Sequence, residues 1–67
     1  MTNQEIYLAR AAEARTDADA ATLANVRDRA LRSEAAWADM AARAGRTDQM
    51  RARLEAEKAA SRIAVTA

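Results

Sequence analysis

The sequence predicts an all-α protein: an antiparallel helical hairpin followed by a third helix. Three observations carry that prediction. Alanine supplies 21 of the 67 residues while proline is absent and glycine occurs once, a composition with high helix propensity and little β-branching. Apolar residues return every three or four positions, the spacing that places them on one side of a helix. Finally, the short gap around Thr22 and the single glycine, Gly45, are the natural places for the chain to break.

The central element is the stretch from Thr22 to Gly45, TLANVRDRALRSEAAWADMAARAG. Leu23, Val26, Ala30, Trp37, Met40 and Ala44 draw one stripe along it, with Ser33 in the polar slot. Asp28/Arg32 and Asp39/Arg43 stand four apart with the acid first, the favourable order for a helical ion pair. The helix before it, about residues 3–21, opens with Thr2-Asn3-Gln4-Glu5, which fits a capping box. Its seam is Tyr7, Ala11, Ala14, Ala18 and Ala21, nearly all alanine, so a bulkier helix can lie close against it.

A tight turn near residue 23 separates helix 1 from helix 2 (about 23–44), with Thr22 or Asn25 as N-cap. An uninterrupted helix is the alternative, but only folding back gives both stripes something to cover. In that register facing residues have numbers adding to about 46, which brings together the only two aromatics, Tyr7 and Trp37. Gly45 is placed to end helix 2 as a left-handed C′ residue, and Thr47 to cap a third helix over about 48–63. There Met50 and Leu54 form one short apolar line, and Ala52, Ala56, Ala59 and Ile63 another. Arg51/Glu55, Arg53/Glu57 and Glu55/Lys58 cover the remainder, and residues 65–67 are expected to fray.

The chain, residues 1–67, is expected to form a single small domain with a thin core. Only 13 apolar residues are larger than alanine, and each alanine contributes about one methyl group, on the order of 0.8 kcal/mol. A partner or a second copy would complete such a core. Without His or Cys, triads, imidazole bases and most zinc sites are excluded, and no Gly-rich loop can cradle a phosphate. Glu13, Asp17 and Asp19 fit a solvated helical face better than a carboxylate pair. We therefore expect no enzyme, cofactor, metal or small-molecule substrate.

Eleven basic and ten acidic residues nearly cancel, but residues 1–21 carry −2, 22–45 carry +1 and 46–67 carry +2. Arg27, Arg29 and Arg32, with Arg46, Arg51, Arg53, Lys58 and Arg62, form the alternative signal, a nucleic-acid-associated regulator. Interleaved acids and the lack of a free aromatic weigh against it. No apolar run is long enough to span a membrane and no leader pattern opens the chain, so the cytoplasm is the expected setting. The candidate interface residues are Trp37, Met40, Met50, Leu54 and Ile63, which serve otherwise as core filler.

Residues 7–44, through Tyr7, Arg10, Ala14-Arg15, Ala20-Ala21-Thr22-Leu23, Asn25-Val26-Arg27 and Ser33-Glu34-Ala35-Ala36-Trp37, resemble short, uncharacterised helical-hairpin proteins of alphaproteobacteria. Alanine-rich hairpins are also similar to tetratricopeptide-type repeats. The resemblance implies a bacterial, cytosolic setting and no particular activity. The leading expectation is thus a non-enzymatic helical interaction or structural protein, a homo-oligomer or an accessory subunit.

Overall fold

The structure, a computed structural model, describes residues 1–66 and places them in two helices, α1 (Asn3–Ala20) and α2 (Ala24–Thr66). The hairpin is present; the separate third helix is not. Residues 48–63 belong to α2, which runs for 43 residues without interruption. Of the tail expected to fray, residues 65 and 66 are helical backbone, and Ala67 lies outside the described residues.

The continuity has a local cause. Gly45 does not adopt positive φ, so the left-handed residue that would turn the chain out of the helix is missing. Stopping there would orphan four carbonyls and, on restarting, four amides, and would require a second nucleation. Ala41, Ala42, Ala44, Arg43 and Arg46 surround the glycine with strong helix formers. With no third surface to fold back onto, propagation wins. A helix of 43 residues is about 65 Å long at ~1.5 Å per residue. That matches the long dimension of the molecule, 66 Å, and the 17 × 11 Å cross-section is two helices wide and one thick.

The start of α1 is the capping box read in the sequence. The Glu5 amide donates to Thr2 Oγ1 and the Thr2 amide donates to Glu5 Oε2, both at 3.2 Å. Its end lies at Ala21, where the backbone turns extended (φ −70°, ψ 133°) and the amide donates to the Ala18 carbonyl at 3.3 Å. The Leu23 carbonyl accepts the Arg27 amide at 3.0 Å, which closes the first turn of α2. Thr22, expected as N-cap, therefore lies one residue too early, and Asn25 lies inside the helix.

Arg27 completes the turn. Its guanidinium donates to the Ala21 carbonyl at 3.0 Å, placing a cation at the end of α1, whose own last turn has no basic residue. A cation there is favourable by about 0.5 kcal/mol against the helix dipole. Arg27→Ala is expected to lower the thermal midpoint by roughly 2–4 °C, while Arg29→Ala leaves it nearly unchanged. Equal losses from the two would remove Arg27 from this role; thermal melts of both variants decide.

Between the helices the seam is narrower than the apolar stripes suggest. Gln4, Tyr7, Ala11, Ala14, Ala18 and Ala21 turn inward from α1, as expected beyond Gln4. From α2 the inward line is Ala30, Glu34, Trp37, Ala41 and Ala44, spaced by fours and threes in the manner of a two-helix seam. The buried residues are alanines: Ala14, Ala18 and Ala41. Leu23, Val26 and Met40, assigned to the stripe from the sequence, stay exposed. Alanine against alanine lets the backbones approach so closely that larger side chains fit only at the edges. Arg15 reaches Glu34 across the seam at 3.8 Å and Gln4 meets Gly45, so α2 is slid by about three positions from the expected register. Tyr7 and Trp37 still stack, with centroids 5.9 Å apart and planes at 29°, because long rings bridge the shift.

Candidate functional site

From Arg46 to Val65 every residue of α2 is exposed. The first residues of this stretch, Thr47, Asp48 and Arg51, still border Asn3 and Tyr7 of α1; beyond them the overhang extends past the start of α1, with no other helix among the described residues lying against it. Its apolar side chains are correspondingly open: Met50 is 53% exposed, Leu54 47% and Ile63 68%. The structure does not gather these three on one face. Met50 and Leu54 are four apart and share a side, whereas Ile63 sits with Ala52, Ala56 and Ala59 on the continuation of the hairpin seam.

On one side of the helix pair, near its open end, lies a hollow of mixed character in which Tyr7, Met40 and Ala44 stand with Arg43, Asp48 and Arg51. Nearer the turn, a second hollow is lined by Arg10, Glu13, Ala14, Asp17, Ser33 and Trp37. Met40, Thr47 and Leu54 recur at intervals of seven, hence on one face. Leu54 therefore stands on the same side of α2 as Met40, with the polar Thr47 between them. Of the candidate interface residues, Trp37 is half-buried in the second hollow and stacked with Tyr7, and Met40, 38% exposed, borders the first.

Charge is distributed unevenly over this surface. On α1, Arg10 pairs with Glu13 and Arg15 with Asp19, each at 3.2 Å, leaving the face net acidic with Asp17 beside the second hollow. On the overhang, Lys58 holds Glu55 at 3.8 Å with both side chains well solvated, so the pair adds little stability. Arg46 and Arg53, seven apart, occupy one side, while Arg51, Lys58 and Arg62, spaced by seven and four, occupy another. The basic residues thus make two separated lines, and Arg27 is engaged in the turn.

Three structural features of this surface escape the sequence reading. Glu34 ties the helices through Arg15, Ala41 is buried, and Gly45 is a close-contact position rather than a helix end. The spacing of Ala30, Glu34, Trp37, Ala41 and Ala44 is legible only once the inward line is known, because alanine carries little amphipathic contrast. Among the described residues no group of three or more His, Cys, Asp or Glu is placed to hold a metal ion, and no helix is long and apolar enough to cross a membrane.

The arrangement defines a class: an antiparallel helical hairpin prolonged by a single projecting helix. No family model matches the chain, and the comparisons with curated proteins and with solved structures return no match either.

Proposed function

We propose that this chain is a small non-enzymatic interaction protein of the bacterial cytoplasm, in which the hairpin is a stiff base and the α2 overhang presents the binding face. One observation carries the reading: Met50 and Leu54, four apart on one face of α2 and each about half exposed, stand on a stretch of helix that no other helix among the described residues covers. Large apolar side chains left in water on such an overhang gain free energy when a partner covers them. Helix-in-groove recognition uses anchors at such spacings.

The second reading, association with nucleic acid, draws on the five basic residues of the overhang. Their division into two lines with Asp48, Glu55 and Glu57 among them supports it less well. A photoreactive side chain at position 54, compared with one at the outward-facing Ala9, separates the two in producing cells. Discrete protein cross-links from position 54, absent from position 9 and abolished by Met50→Glu, are expected. No such product would overturn the reading. Retention on generic duplex DNA that falls by roughly 10³-fold or more between 50 and 200 mM salt would transfer the function to the second.

A further inference from the structure

We propose that the partner of the overhang is a second copy of this chain, lying antiparallel so that each overhang lies along the hollows of the other hairpin. This rests on the interaction reading above and specifies its occupant. Three independent features of the molecule point to it.

The first is area. The chain exposes 5410 Å² at a mass of 7.3 kDa, whereas a compact folded monomer of that mass exposes about 4,200 Å². The excess, about 1,200 Å², exceeds the roughly 800 Å² per partner that a standard-size interface buries. The second is length. The hairpin portion of α2, residues 24–45, and the overhang, residues 46–66, are about 33 and 31 Å long at ~1.5 Å per residue. Each overhang is therefore about as long as the hairpin portion of α2 it would lie along. The third is charge: α1 carries four acids and two arginines, the overhang five cations and three acids. The net signs are opposite, and they meet only if one copy's overhang lies along the other copy's α1.

A twofold axis between Gly45 and Arg46 satisfies all three. Leu54 then falls opposite Trp37 of the second copy, and Met50 beside its Met40. Lys58 falls opposite Ser33, which lines the second hollow together with Glu13 and Asp17. The overhang thus sets Leu54 against an aromatic ring and Lys58 beside Asp17, the carboxylate of that hollow not paired with Arg10. The interface is isologous, so every contact occurs twice and the assembly closes at two copies.

The test is sedimentation equilibrium of the full chain, with helicity followed by circular dichroism on the same samples. The wild type is expected as a discrete dimer at roughly 100 µM, two decades above a micromolar dissociation constant. Lys58→Glu and Asp17→Lys each turn two attractive contacts repulsive and should weaken the dimer roughly tenfold. Mixed together, the two variants restore both contacts in the heterodimer, which should form in preference to either homodimer. That recovery needs the contact to be intermolecular, and neither exposed substitution burdens the fold. A helical wild-type monomer at that concentration, a trimer or larger species, or a mixture no tighter than its components overturns the proposal. In the first case cross-links from position 54 to a different protein would leave the interaction reading standing; their absence would remove both.

Discussion

Ala18→Glu is expected to abolish the hairpin. Ala18 is 1% exposed and lies on the inward line of α1. A glutamate there has no room, and its neighbours on that line, Ala14 and Ala21, cannot pair with a carboxylate. Overpacking alone costs about 1–3 kcal/mol, and an unpaired buried carboxylate adds several more or forces the helices apart. A chain of 67 residues has a total stability of only about 3–10 kcal/mol. With Ala14, Ala18 and Ala41 as the buried core among the described residues, this one belongs at the lower end. The cooperative melt should disappear, and the emission of Trp37 should shift as its stack with Tyr7 is lost. Ala12→Glu, on the exposed side of the same helix, is the control and should alter stability by no more than about 0.5 kcal/mol. If Ala18→Glu melts like the control, the inward face of α1 is misassigned.

That face is readable without the structure because α1 has a marked polar side. Once Glu5, Glu13, Asp17 and Asp19 are placed outward, the line Tyr7, Ala11, Ala14, Ala18 is what remains. The capping box at Thr2 and Glu5 is readable for a similar reason, since it is a local pattern whose chemistry needs no tertiary partner. The stacked pair of Tyr7 and Trp37 follows from there being only one partner for each. In α2 the same logic misleads. Hydrophobic periodicity sends the large apolar residues inside, yet Met40 and Val26 are exposed at the edge and Ala41 is buried. The seam selects for smallness, which hydrophobic periodicity does not measure. The extra break at Gly45 arises differently. Glycine followed by Arg46-Thr47-Asp48 carries both a stop and a start signal, and local signals of that kind yield when continuing the helix satisfies more backbone groups than leaving it. The role of Arg27 is invisible to spacing, because its partner is a carbonyl freed by the turn itself.

Gly45→Ala is expected to raise the thermal midpoint, and the sign of the change tests the continuity of α2. Glycine inside a helix is about 1 kcal/mol less favourable than alanine, in part because the unfolded chain loses freedom when alanine replaces it. Against that gain stands one contact. A Cβ added at Gly45 would lie 2.6 Å from Gln4 Nε2 and 3.2 Å from its Cδ, too close for the amide to remain where it is. Those atoms are the far end of a flexible side chain at the first turn of α1, so the amide can swing toward solvent at a cost of about 0.5 kcal/mol. The net gain should be on the order of 0.5 kcal/mol, or roughly 2–4 °C in a domain of this size. Gln4→Ala combined with Gly45→Ala removes the obstruction and should rise further than Gly45→Ala alone. Had Gly45 ended a helix with positive φ, alanine would be strained there and the midpoint would fall. A rise therefore fixes the overhang as a rigid continuation of the hairpin, which is the condition for Leu54 to stand on the same side as Met40. A fall would put a joint at Gly45, and the two residues would no longer share a surface.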